Sequence, residues 1–187
     1  MIFRAVEDFD LIRKARRGDV EAYNLLISRW EKRVYNYLLR IVGDREEALD
    51  LSQDVFLKAY QNLRRLEDPS RFAPWLFRIA HNEAFSSFRR RKPETDATSE
   101  AEAAWDAIAM RAAAAFPIEL SLAVTAALGT LSEEQREAVI LKIYQGFKFE
   151  EMAEILSCPV STVKSRLYTA LDLLKTQLAP VKTRGVT

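Results

Sequence analysis

The chain has 187 residues, 49% apolar and 29% charged, with five Gly and six Pro; this composition is globular, and so few turn residues argue against a loop-rich β architecture and for an all-α fold. One Cys excludes an internal disulfide, and one Cys with one His cannot build a typical zinc site, so no metal or other cofactor is expected and the compartment reads as reducing. The formal charge of +1 hides a basic stretch at 64–92, with eight bases and three acids, followed by an acidic one at 93–119, with six acids and one base.

No run reaches the roughly 18 uninterrupted apolar residues of a spanning helix. The start "MIFRAVEDFD" lacks the basic-then-apolar order of a secretion signal. A soluble, cytoplasmic chain without membrane insertion is expected.

In chain order, "DVEAYNLLISRWEKRVYNYLLRIVG" places Ala22, Leu25, Leu26, Trp30, Val34, Tyr37, Leu38 and Ile41 at helical spacing, with Gly43 as the stop. Asp44 with Glu47 three residues on forms a capping-box pattern that opens a second long helix through Leu63. "RRLEDPSR" has the chemistry of a loop, and "FAPWLFRIAHNEAFSSFRRRK" reads as a third helix ending before Pro93. These elements make a three- or four-helix unit. An acidic and then Ala-rich stretch to Pro117 reads as a linker, with a loosely held helix in its second half. Two further helices follow, the second capped by Ser132 and Gln135 and stopped at Gly146, and "FEEMAEILSCPVSTVKSRLYTALDLL" then completes a second four-helix unit.

In that last stretch Phe149, Met152, Ala153 and Leu156 form one apolar stripe, Pro159 ends the first helix, and Ser161 is placed to cap the next. The small side chain of Ala153 permits a close, steep crossing. Val163, Leu167, Ala170, Leu171 and Leu174 face inward, which leaves Ser161, Thr162, Lys164, Ser165, Arg166 and Thr169 outward, hydroxyls and cations suited to phosphates and base edges in a major groove. By itself the pair also fits an ordinary helical hairpin with a solvated face, and Ser157 stands in the turn where Gly is common.

The third helix carries Arg78, Asn82, Phe85 and Arg89 at i, i+4, i+7 and i+11, apart from the apolar face of Phe72, Leu76, Ile79 and Ala80. Cations that grip phosphates and a ring that stacks a base suit separated DNA strands. Arg64, Arg65, Asp68, Ser70 and Arg71 in the preceding loop can pocket an unstacked base. Core packing of Trp75 and the Phe rings under solvating arginines is the plainer alternative. His81 has no evident partner in sequence.

Taken together, "GDVEAYNLLISRW", "ALDLSQDVFLKAYQNL", "FAPWLFRIAHNEAFSSFRRRKP", "LSEEQREAVILK" and "FEEMAEILSCPVSTVKSRLYTAL" resemble, in order and spacing, the bacterial extracytoplasmic-function (group 4) sigma factors of the sigma-70 family, over nearly the whole chain. The resemblance implies sigma region 2 over 1–92, a linker over 93–116, sigma region 4 over 117–178 and a tail over 179–187. It implies docking on core RNA polymerase, through its beta and beta-prime subunits, by Asp50, Gln53, Asp54, Phe56 and Lys58. It assigns minus-ten DNA to Arg64, Arg65, Asp68, Ser70, Arg71, Trp75, Arg78, Asn82, Phe85 and Arg89, and minus-thirty-five DNA to Ser161, Thr162, Lys164, Ser165, Arg166 and Thr169. A chain of this kind directs polymerase to promoter DNA, is a monomer when free, answers stress or envelope signals, and is held by an anti-sigma factor. A dimeric repressor or activator using only the second unit, and a sigma-like decoy that touches no DNA, are the competing classes. An enzyme is disfavoured, because no Gly-rich phosphate loop, nucleophile elbow or metal-ligand cluster is present.

Overall fold

The computed structural model describes residues 7–91, 124 and 126–178, and the expected linker and C-terminal tail lie outside them. Among the described residues all regular structure is helical. The first unit consists of α1 (Asp8–Arg16), α2 (Val20–Val42), α3 (Arg45–Asn62) and α4 (Phe72–Arg91), with single 3-10 turns at Leu63–Arg65 and Pro69–Arg71. The second consists of α5 (Glu133–Val139), a π turn at Ile140–Tyr144, α6 (Phe149–Ile155) and α7 (Val160–Leu178).

The boundaries follow from capping. Asp19 accepts the Ala22 amide at 3.0 Å to open α2, and Asp44 accepts the Glu47 amide at 2.7 Å to open α3. Between them Gly43 ends α2 at φ 78°, a left-handed conformation that a side chain would strain, and sends its amide back to the Leu39 carbonyl. Pro74 sits in the first turn of α4, where its missing N–H costs no helical bond. Both halves of the Ser132–Gln135 capping box are formed at the start of α5. α7 begins at Val160, directly after Pro159, so Ser161 lies inside its first turn and does not cap it; the proline, two residues earlier than the expected cap, has already set the helical φ.

The stripes read from sequence become the core. Leu26, Val34, Tyr37, Leu38, Ile41, Leu51, Val55, Leu76 and Ala80 are buried in the first unit, and Leu141, Met152, Ile155, Val163, Leu167 and Ala170 in the second. Each large aliphatic among them contributes about 1.5–3 kcal/mol by leaving water. Leu25 and Leu171, expected inward, are instead 53% and 36% exposed, because each lies at the margin of its helix's apolar arc.

The two units do not stand apart. α4 packs on α6, and one hydrophobic cluster runs through both units. Phe77 of α4 is its centre: fully buried, it meets Tyr37 edge-on at 5.2 Å and Phe147 of the second unit at 5.0 Å.

Candidate nucleic-acid interface

α4 buries Phe72, Leu76, Phe77, Ala80 and Ala84 and turns Arg78, Asn82 and Arg89 to solvent. This is the partition the 3.6-residue period demands. Phe85 is half-buried, its ring 4.5 Å from His81 and 5.6 Å from Phe88, so the stripe's aromatic rests against neighbours with one side outward. Trp75 is also half-buried and packs on Phe72 at 5.8 Å, which fits the core alternative better than a fully presented ring. In the loop, Asp68 accepts from both the amide and the hydroxyl of Ser70, at 2.9 and 2.7 Å, and these bonds hold its carboxyl below the usual range. The two residues thus shape the turn. Arg64 and Arg65 are exposed, whereas Arg71 pairs with Glu154 of α6, its Nε at 3.2 Å from Oε2.

On α7 the outward set is presented largely as the period predicts. Ser161, Lys164, Ser165 and Thr169 are exposed, and Thr162 and Arg166 half-buried. Arg166 leans toward the turn, where its guanidinium lies 4.0 Å from the Cys158 sulfur. The turn itself is held with Ser157 at φ 51°, and the Cys158 amide bonds the Ala153 carbonyl at 3.1 Å. A serine therefore adopts the left-handed conformation that Gly would supply without strain. Lys164 and Lys142 both lie over the Phe149 ring, at 5.3 and 4.8 Å, which steadies two cations beside the outward face of α7. Neither Phe149 nor Lys142 was singled out from sequence for this, because the contact joins three separate elements.

α3 separates the residues expected to dock on polymerase into two groups. Asp50, Gln53 and Asp54 are exposed on one face, while Phe56 is 8% exposed and turned inward, its carbonyl receiving the Tyr23 hydroxyl. Lys58 reaches across to Glu83 of α4 at 2.5 Å, an intramolecular role that sequence spacing does not disclose. Beside Gln53 a groove between α2 and α3 is lined by Tyr23, Ile27, Tyr35, Leu49, Leu57 and Tyr60. Leu49 and Leu57 are more than half exposed there, the kind of apolar surface that marks a protein partner.

His81, which has no partner legible in sequence, has one in space. Its Nδ1 lies 2.8 Å from the Glu137 carboxylate, and the same oxygen receives the hydroxyl of Tyr37. Burial, followed by the neighbouring carboxylate, pushes the Tyr37 hydroxyl well above its ordinary value, so it stays a donor. Nearby, Arg33 donates to the Gln145 carbonyl at 3.1 Å, and Arg40 covers the Tyr144 ring at 4.5 Å.

Two exposed cationic helix faces, one on each of two helical units and one of them in a helix-turn-helix, define a DNA-engaging protein. The family models for Sigma-70 region 2 and Sigma-70 region 4 match residues 26–94 and 121–174. The chain is 32% identical to the RNA polymerase sigma-H factor of Pseudomonas aeruginosa, covering 94% of this chain and 95% of that protein. It is 31% identical to the ECF RNA polymerase sigma-E factor of Escherichia coli K12, covering 91% and 94%. Among solved structures it is similar to CnrH in complex with the cytosolic domain of CnrY, with a TM-score of 0.68, 25% identity and coverage of 92% and 97%. It is also similar to the sigma factor RpoE in complex with the anti-sigma factor NepR from Bartonella quintana, with a TM-score of 0.64, 25% identity and coverage of 84% and 96%. The chain belongs to the extracytoplasmic-function group of the sigma-70 family, the RNA polymerase sigma factors that direct transcription initiation. No helix among the described residues is long and apolar enough to cross a membrane.

Proposed function

We propose that this sigma factor divides promoter recognition between its two units. The first reads and opens the minus-ten element with Arg64, Arg65, Arg71, Arg78, Asn82, Phe85 and Arg89. The second reads the minus-thirty-five element with Ser161, Thr162, Lys164, Ser165, Arg166 and Thr169. Asp68 and Ser70 act by shaping the loop, and Trp75 acts by buttressing α4 from beneath. The observation that carries this reading is the outward stripe of α4, where Arg78, Asn82 and Arg89 are exposed beside the half-presented ring of Phe85. Cations with an adjacent ring favour a strand whose bases have left the stack.

Core polymerase docks, in this reading, on α3 through Asp50, Gln53 and Asp54, with the apolar groove of Leu49, Leu57 and Tyr60 supplying the buried contact and Phe56 supporting it from below. The beta and beta-prime subunits are the partners in question. The free chain is monomeric and works in the cytoplasm, the protein performs no catalysis of its own, and the acidic linker lies along the polymerase. An anti-sigma factor holds the chain in response to stress or envelope signals; both structural relatives just described are bound to a second protein, in one case a named anti-sigma factor.

The test is in-vitro transcription with purified core polymerase and a promoter library. Polymerase-dependent initiation from a restricted promoter set is expected, with permanganate footprints at the minus-ten bases. Failure of core polymerase to bind the chain overturns the reading.

A further inference from the structure

α1 carries a surface that its packing does not use. Leu11, Ile12 and Ala15 enter the core, while Phe9, Arg13 and Arg17 stand exposed in one row at i, i+4 and i+8, with Lys14 beside them. Phe9 is 48% exposed, and the Arg13 guanidinium lies over its ring at 5.9 Å. Among the described residues Arg13, Lys14 and Arg17 have no ion-pair partner. The Asp8 carboxylate of the same helix is taken by Arg29 at 2.7 Å and by the Trp30 indole at 3.0 Å. Cations in a last turn complement the negative end of a helix, but that need asks for no exposed ring among them.

The row also has a telling neighbour. α1 packs on both 3-10 turns of the loop assigned above to the minus-ten element, Leu63–Arg65 and Pro69–Arg71, and α4 begins where the second turn ends. The loop therefore has α1 on one flank and the α4 stripe on another. Chain order says which part of the promoter each flank serves. α4 leads on toward the second unit, which takes the upstream element, so α1 is left for the strand on the start-site side of the loop. The chemistry of the stripe, two arginines and a ring, recurs in the row. Cations grip phosphates and a ring stacks any base, so the row suits a separated strand without asking for base edges.

We propose that Phe9, Arg13 and Arg17 form a second single-strand contact, which holds the strand just downstream of the minus-ten element whatever its sequence. The place of this contact on the promoter rests on the assignment of the loop and α4 to the minus-ten element; the affinity of the row for single-stranded DNA does not. Each phosphate that a cation neutralises on a single strand adds about 0.7 to the slope of affinity against salt, so two arginines are worth about 1.4. A role confined to the fold of α1 would leave that slope alone.

The experiment uses the full chain with core polymerase and two fork DNAs, read by anisotropy over a range of salt. In one fork the single strand stops at the last minus-ten base; in the other it runs about six thymidines further, enough for one such site. The parent should bind the longer fork at least about fivefold more tightly, and should keep that gain when the thymidines are exchanged for mixed bases. Phe9→Ala should remove most of the gain. Arg13→Ala with Arg17→Ala should remove it and lower the salt slope on the longer fork by about 1.4, with affinity for the shorter fork unchanged. Equal affinity of the parent for the two forks overturns the proposal, as does a loss that falls on both forks alike or one that Lys175→Ala, an exposed charge at the far end of α7, reproduces. Arg78→Ala should weaken both forks; if it weakens neither, the assignment of α4 falls while the comparison of forks still stands. If core polymerase does not bind the chain, the docking reading falls, and the full chain alone is titrated with a thymidine oligonucleotide. A salt slope that the double exchange does not lower then overturns the row's affinity for single strands.

Discussion

α4 and α7 present similar chemistry in different circumstances. On α7 Ser161, Lys164, Ser165 and Thr169 point to solvent from a hairpin whose own core, Met152, Ile155, Val163 and Leu167, lies directly beneath. On α4 and its loop Arg78, Asn82 and Arg89 are exposed too, but other groups beside them are woven into contacts with the rest of the molecule: Arg71 with Glu154, His81 with Glu137, and Phe85 with His81 and Phe88. The difference teaches that one of the two proposed reading surfaces is ready as folded, while part of the other is coupled to the placement of its neighbour. A duplex reader needs only a rigid helix at groove width, whereas a strand opener must expose a ring, and an exposed ring finds something to rest on.

The largest expected effect breaks the coupling at its centre. Phe77→Ala removes a fully buried ring that touches both Tyr37 and Phe147, and should cost about 3–5 kcal/mol in denaturant unfolding. Leu167→Ala, within the second unit alone, should cost about 2–5 kcal/mol by the same measurement.

Next come the two proposed readers. Phe85→Ala should remove about 1–3 kcal/mol of stacking, abolishing most permanganate reactivity while polymerase docking, read by gel filtration with core enzyme, persists. Exchanging Ser165 and Arg166 for Ala should cost a similar roughly 1–3 kcal/mol per lost base contact, confined to promoters with an upstream element and read by competition between promoters. Equal losses on promoters with and without that element would erase the distinction between the helices.

The smallest effects test the frame. Ser132→Ala, which opens the capping box of α5, should cost about 1 kcal/mol of thermal stability. Arg29→Ala, which breaks an ion pair with Asp8 whose partners are each more than a third exposed, should cost no more than about 1 kcal/mol and less in high salt.

Much of the site was legible in the chain because helical period and capping are local. The α4 stripe, the outward set of α7 and the capping box at Ser132 all depend on residues within a few turns of one another, so they stood where the spacing put them. The roles of Phe56, Lys58 and Trp75 were less legible. The Phe56 side chain is buried, the Lys58 ammonium is taken by the Glu83 carboxylate of the neighbouring helix, and Trp75 rests on the Phe72 ring of its own helix; such contacts come from folding and not from spacing. The groove of Leu49, Leu57 and Tyr60 was hidden for the same reason, since half its wall comes from α2.

From the amino-acid order alone came the helices, their stops, the division into two units, the two cationic faces and the resemblance to a transcription initiation family. Tertiary structure decided that the units meet, and that a lone histidine, a tyrosine and a glutamate separated by 56 and 100 positions share one buried oxygen. Periodicity carries information over a few turns of chain; a carboxylate's need for partners in a low-dielectric seam is satisfied only by groups that folding brings from elsewhere.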